Sequence, residues 1–526
     1  MIKYDEKENY RLSVQMRLDA EKNSQERNRM GQFATPTLLA REIVNYGIKL
    51  LPQNKKIHFL DPAVGTGAFY SALEAVAPVG SIEKADGFEI DPHYGIPAQA
   101  LWADSLLNIQ IKDFTSQPIE ESSLANLIIC NPPYVRHQHL EENQKKIIQS
   151  RTQEVCGIKL SGLSGLYCYF MGLSHQWMQP GGIAGWLVPS EFMSVNYGKA
   201  LKDYLLGKVT LIRIHRYNPE EVQFTDALVS SAIVWFKNTP PPKDHKVMMS
   251  YGGTLGNPEV SREVKASELA SEVKWTRYPQ ASTATTKAKL TLGDLFDIKR
   301  GLATGNNKFF ILTSAQIEEK KLPKELFTPV LPGARFILND EILSDENGTP
   351  SIEKKLFLLN TQLPENEIAY KYPMLKSYLD EGKIGEDPIA SRYLCRTRKP
   401  WYKQENRPAA PIICTYMGRE REGSRPFRFI LNHSEATACN GYLMLYPKPL
   451  LKKISEQDSY IMRKIWEYLN NLDITTLLNQ GRVYGGGLHK LEPKELRGLP
   501  VENLLDLMPV SQELGAQGDL LQEEVA

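Results

Sequence analysis

Short apolar runs alternate with amphipathic stretches along the first 240 residues of the chain. Runs at 57–60, 85–90, 127–130, 183–188, 211–215 and 231–236 have the length of buried strands, and segments 37–49, 67–77, 165–178 and 197–206 carry apolar residues at helical spacing. Strand–helix alternation predicts a doubly wound, mostly parallel α/β sheet. The pattern breaks at NTPPPKD (238–244), and the polar stretch 278–289 reads as a linker. Beyond it come many prolines, short strand-like runs and one helical stretch at 457–478, which predict a mixed α+β domain. The expected division is a first domain at 1–240, a connecting segment at 241–290 and a second domain at 291–526. Residues 1–30 are polar and predict helix or partial disorder.

Composition narrows the class. At 526 residues the chain is too long for a single ordinary core, and its 42% hydrophobic and 24% charged content is that of a globular protein. No run approaches the roughly 18 apolar residues of a membrane span, and the opening MIKYDEKENYRLS lacks the apolar core of a signal peptide. Six cysteines without metal-ligand spacing fit a reduced, cytoplasmic compartment and predict no metal site. Nine scattered histidines, none in a nucleophile elbow, speak against Ser/His/Asp or Cys/His catalysis. Net charge is only +1, so contact with nucleic acid must come from local patches. One such patch is 391–430, with ten Lys or Arg against three acids and Trp401, Tyr402, Tyr416, Phe427 and Phe429 interleaved. Arg396, Arg398, Lys399, Trp401 and Lys403 are its candidate DNA contacts.

The chemistry begins where the run 127–130 meets Asn131, Pro132, Pro133 and Tyr134. Neither proline can donate to a ladder, so the strand stops and presents Asn131 and Tyr134 on a stiff loop at its carboxyl end, where open α/β sheets bind ligands. An amide oxygen, a fixed Pro132 carbonyl and an aromatic ring suit methyl transfer to a conjugated amino nitrogen. Two acceptors hold its hydrogens and favour a more nucleophilic geometry, and the ring stacks on the base. Upstream, FLDPAVGTGAF (59–69) is a strand, a glycine turn and a helix start, and Gly65 and Gly67 let backbone approach a ligand. Glu89, 24 residues after Gly65, stands near the spacing at which a carboxylate accepts both ribose hydroxyls. Asp104 follows as a candidate acceptor for an adenine amine. The chain has no GxGxxG or GxxxxGK[ST] motif. That disfavours dinucleotides and triphosphates, and S-adenosylmethionine, a nucleoside with an amino-acid tail, fits better.

In this order the motifs resemble gamma-class DNA adenine amino-methyltransferases, the TaqI-like group. In that class GQFATP (31–36) corresponds to a segment against the methionine part of the cofactor, which adds Thr35 and Pro36. The resemblance continues through Asp61, Ala63, Gly65 and Gly67, then Glu89 with Ile90, Asp104 with Ser105, and NPPY. FTDALVSS (224–231) is similar to the loop whose aromatic, here Phe224, packs on the flipped adenine. Residues 292–310 and 482–496 are similar to the opening and closing stretches of TaqI-like specificity domains and bring in Arg482. The resemblance spans roughly 31–500. It implies a site-specific enzyme that methylates the exocyclic amine of a flipped adenine in double-stranded DNA, acting as a monomer beside a separately encoded restriction endonuclease. Asp61 departs from the Glu that some relatives carry, which bears on contact with the methionine amine. Two other readings of the same residues are a methyltransferase acting on RNA or protein glutamine, and a DNA-binding subunit without catalysis.

Overall fold

The apolar runs of the first half become strands of one nine-stranded sheet in the computed structural model, which describes residues 2–119, 123–218, 230–280, 290–420, 425–484 and 487–507. The strands are β1 (Ile57–Asp61), β2 (Ile82–Glu89), β3 (Leu107–Ile111), β4 (Ala125–Cys130), β5 (Met178–Pro189), β6 (Thr210–Arg216), β7 (Ser231–Lys237), β8 (Lys246–Gly253) and β9 (Pro258–Lys265). Their order is β3-β2-β1-β4-β5-β7-β6-β8-β9. The pairs from β3 to β5 are parallel, and β7 inserts antiparallel between β5 and β6. Strand β4 is buried along its whole length, so its apolar run is continuous rather than alternating.

Helices α1 (Ile2–Ala20), α2 (Ser24–Met30), α3 (Thr37–Leu50), α4 (Ala68–Val76), α5 (Pro92–Leu101), α6 (Glu142–Cys156), α7 (Leu166–Ser174) and α8 (Lys199–Gly207) belong to this unit, with a short helix at Ala266–Ser271 after β9. Two apolar cores lie against the sheet. One gathers Leu60, Ile128, Phe170 and Trp177, and the other Phe59, Ile43, Leu73 and Leu127. Each such side chain contributes about 1.5–3 kcal/mol by leaving water.

The sequence placed 241–290 in a connecting segment. Residues 246–265 instead supply β8 and β9, because β8 pairs parallel with β6 and carries β9 as an antiparallel partner. By its contacts the chain divides into two units, 1–284 with 484–487, and 285–483 with 488–526. No helix among the described residues is long and apolar enough to cross a membrane.

The second unit has a five-stranded sheet in the order Phe296–Arg300, Tyr442–Pro447, Ile412–Thr415, Phe429–Asn432, Glu341–Ile342. The amphipathic helices Pro449–Gln457 and Ile461–Asn471 bury Leu451, Ile454, Ile461 and Ile465 in the core beside it. A four-stranded sheet has its own core around Phe310, Leu358, Tyr378 and Tyr402.

Candidate active site

The carboxyl ends of β1, β2 and β4 deliver Asp61, Glu89 and Asn131 to one edge of the sheet. A cavity of about 160 Å³ lies there, bordered by Ala63, Gly65, Glu89, Ile90, Asn131 and Pro133, with a smaller one of about 50 Å³ sharing Ala63, Gly65 and Asn131. The two glycines of the turn are required for different reasons. Gly65 has φ +53° and open space where a Cβ would stand, so it leaves the cavity clear. Gly67 has φ +89°, and a Cβ there would meet Trp102 Nε1 at 2.4 Å; it permits close packing of the start of α4.

Glu89 fixes the turn. Its carboxylate accepts from Gly65 N at 3.0 Å and from Asp91 N at 2.8 Å. Burial raises its pKa above the ordinary glutamate value. Asp61, wholly buried, accepts from Ala63 N at 3.1 Å. Burial, reinforced by the charge of Glu89, pushes its pKa up to about 7. A buried acid in this state favours a cationic partner.

Asn131 is held by its amide nitrogen, which donates to Phe33 O at 3.0 Å and to Thr35 Oγ1 at 3.1 Å. Phe33 O can only accept, so the side-chain carbonyl must face the other way. That oxygen is buried and has no hydrogen-bond partner among the described residues. Tyr134 donates its hydroxyl to Leu187 O at 3.1 Å and its backbone N–H to Gly31 O at 3.3 Å. Gly31 is at φ +66°, and a Cβ there would sit 2.4 Å from Tyr134 N, so the GQFATP segment and the NPPY loop are in backbone contact. The rings of Phe33 and Tyr134 lie 5.7 Å apart. Pro132 is buried.

Thr35, Asp61, Ala63, Gly65, Glu89, Ile90 and Asn131 therefore meet at the two cavities. Pro36 instead stands exposed before α3, and Gly67 is packed behind the turn. Asp104 and Ser105 lie elsewhere. Asp104 is exposed on the turn before β3, at the opposite end of the strand, and Ser105 Oγ closes that turn on Trp102 O at 2.8 Å. The acid at the carboxyl end of β3 is Asp113, which borders the larger cavity with Lys112 and Phe114. The alternating run LNIQI (107–111), with the period of a half-exposed strand, was the signal that pointed to it. The share of helix α1 in the site was also missed: Arg11, Gln15 and Asp19 line the cavities. Phe224 lies outside the described residues.

In the second unit the basic patch separates into two kinds of residue. Trp401, half-buried, packs 5.9 Å from both Phe309 and Phe310. Tyr402, Tyr416, Phe427 and Phe429 are buried, so the interleaved aromatics belong to the core rather than to a stacking surface. Arg398 donates to Ala303 O at 2.6 Å, Thr304 O at 3.0 Å and Gln404 Oε1 at 3.2 Å, and so staples a loop. Arg482 pairs with Glu495 at 2.7 Å. Arg396 and Lys399 are exposed and Lys403 is half-buried.

The two cavities fit S-adenosylmethionine on the chemistry of their acceptors: a carboxylate at the end of β2 for ribose hydroxyls and a buried acid with raised pKa for an ammonium group. Comparison with known proteins agrees. Residues 96–223 match the family model of the Eco57I restriction-modification methylase, and 277–523 match that of the C-terminal domain of the type II methyltransferase M.Eco57I. The chain is 27% identical to the type II methyltransferase M.XamI of Xanthomonas campestris pv. amaranthicola over 490 residues, 91% of this chain and 86% of that protein. It is 27% identical to M.AccI of Acinetobacter calcoaceticus over 502 residues, 91% of this chain and 87% of that one. The structure of the type IIL restriction-modification enzyme MmeI in complex with DNA shares the fold, with a TM-score of 0.50 at 13% identity over 92% of this chain and 74% of that one. The chain is an S-adenosylmethionine-dependent methyltransferase, similar to those of restriction-modification systems.

Proposed function

We propose that this methyltransferase modifies the exocyclic amino group of an adenine flipped out of duplex DNA, within a site read by its second unit, as the TaqI-like resemblance implies. The observation that carries this reading is Asn131, whose amide nitrogen is fixed by Phe33 O and Thr35 Oγ1 while its oxygen is buried and unpartnered. An acceptor held this way is aimed before the substrate arrives and needs no reorganisation when charge develops.

When bound, S-adenosylmethionine supplies an electrophilic methyl group on sulfonium. The residues of the chain orient and exclude. Asn131 Oδ1, with the Pro132 carbonyl, accepts the two amino hydrogens and draws the nitrogen lone pair out of conjugation with the ring. Tyr134 offers a ring whose hydroxyl is held on Leu187 O, and Phe224 is assigned to the other face of the base. Glu89 takes the ribose hydroxyls, Asp61 the methionine ammonium and Asp113 the adenine amine of the cofactor. Extruding the base costs a few kcal/mol, recovered by stacking and by these hydrogen bonds. Action as a monomer, beside a separately encoded endonuclease, belongs to the same reading.

The test is tritium transfer from labelled S-adenosylmethionine to duplex DNA, RNA and protein in parallel, with the nucleosides of digested DNA separated. N6-methyladenine in duplex DNA is expected. Label on cytosine, or in RNA or protein alone, overturns the reading.

A further inference from the structure

Neither family model reaches the first 95 residues, yet helix α1 lines both cavities. Arg11 on that helix is 1% exposed and borders the smaller cavity together with Thr35, Asp61, Thr66 and Asn131. It is the only cation among the described residues bordering that cavity. Lys112, the cation of the larger cavity, follows β3 beside Asp113.

The guanidinium is held in one orientation. Its Nε and Nη2 each donate to Glu8 at 2.7 Å, and Nη1 donates to Thr66 Oγ1 at 3.0 Å. Glu8 is itself fixed, accepting from Ser71 Oγ at 2.6 Å and from Thr37 Oγ1. A guanidinium has five N–H donors and these bonds use three, so one on each Nη is left for a ligand. The acid on the same cavity, Asp61, is buried, and among the described residues no cation is bonded to it. A cavity bordered by one buried guanidinium and one buried carboxylate has the charge pattern of an α-amino acid zwitterion.

We propose that Arg11 binds the α-carboxylate of the methionine portion of S-adenosylmethionine while Asp61 takes its α-ammonium. The N-terminal helix is then part of the cofactor site rather than a support outside it. Glu8 acts as a positioning residue that keeps the guanidinium plane turned toward the cavity. The inference rests on the cofactor reading above.

The experiment measures binding rather than turnover, by titration calorimetry on the full-length chain. The two ligands are S-adenosylmethionine and its decarboxylated analogue, which keeps the sulfonium and the amine and lacks only the carboxylate. Wild type should prefer the carboxylate-bearing ligand by on the order of tenfold or more, the worth of a charged hydrogen-bonded contact. Arg11→Gln should bring the two affinities close together, while Glu8→Gln, which keeps the guanidinium, should retain most of the preference. If melting curves show that Arg11→Gln does not fold, the double variant Glu8→Gln/Arg11→Gln, which leaves neither charge unpaired, is read in its place. A wild-type preference that survives loss of Arg11, or is absent from the start, overturns the inference. A Glu8→Gln variant whose preference equals that of wild type overturns the positioning role given to Glu8. Failure of wild type to bind either ligand overturns the cofactor reading itself and this inference with it.

Discussion

Replacing Asn131 with alanine removes the buried side-chain acceptor of the catalytic loop. Two consequences follow from its bonds. First, the donors to Phe33 O and Thr35 Oγ1 disappear, at 3.0 and 3.1 Å in the native protein. The acceptors left behind should cost about 1–3 kcal/mol of stability, partly relieved where water can reach them. Second, the unpartnered Oδ1 is lost. An oriented group acting in a water-poor site is worth about 10²–10³ in rate, or roughly 2.7–4 kcal/mol. The rate effect should therefore exceed the folding effect, and cofactor affinity should change little. Single-turnover transfer of labelled methyl to cognate duplex measures the first, and thermal melting of the same preparation the second. Thr35→Val provides a graded control: Phe33 O still holds the amide, so the rate should fall by only about tenfold or less, the loss of one neutral hydrogen bond. A single-turnover rate for Asn131→Ala within about fivefold of wild type would show that the orphaned oxygen does not act on the reacting amine, since removing one oriented hydrogen-bonding group of this kind typically costs far more.

Four further predictions address the cofactor cleft and the second unit. The pKa of Asp61 is raised to about 7, so its contribution to stability is present below the ordinary carboxylate range and is lost as pH rises through about 7. Affinity for the cationic cofactor should rise over the same interval, and calorimetry flat from pH 5.5 to 8 would remove the acid from the ammonium site. Asp113→Ala should weaken cofactor binding by roughly 1–2 kcal/mol whereas Asp104→Ala should leave it unchanged; equal effects would contradict the placement of β3. Neutralising the exposed Arg396 and Lys399 should flatten the salt dependence of DNA binding by about 0.9 in log–log slope per lost phosphate contact. Arg398→Ala should instead lower the melting temperature, and a variant with weakened DNA binding but unaltered melting would show that its three bonds are dispensable.

The parts of the site that were legible in the sequence are those fixed by backbone. A continuous apolar run, a proline stop and a glycine turn allow few alternatives, and Asn131, Gly65 and Glu89 stand where those elements put them. What was not legible depended on partial burial. Strand β3 is half-exposed, so its apolar positions alternate, and Asp104, before the strand, was taken for the acid that Asp113 supplies at its carboxyl end. The same effect misled the reading of 391–430. Buried aromatics such as Phe427 and Phe429 flank Arg428, which is held on Asp340, and in sequence that mimics a surface where bases and phosphates are both met. Helix α1 looked merely polar because its inward residues, Glu8 and Arg11, are charged and satisfy each other. Pairing of that kind has no signature in hydropathy.

The antiparallel insertion of β7 has a practical corollary. Because β7 runs opposite to its neighbours, the chain leaves β6 at Tyr217 and re-enters at Ser231 on the edge that holds Asn131, and the turn from β7 to β8 falls on the reverse edge. The tip of that turn, at Pro242, Lys243 and Asp244, is exposed and far along the strands from every residue assigned to chemistry. Exposed tips of this kind tolerate insertion. The natural place to graft a reporter or a programmable targeting module onto this enzyme is therefore between Lys243 and Asp244, where the added domain would hang from the back of the sheet and leave the mouth of the cleft open.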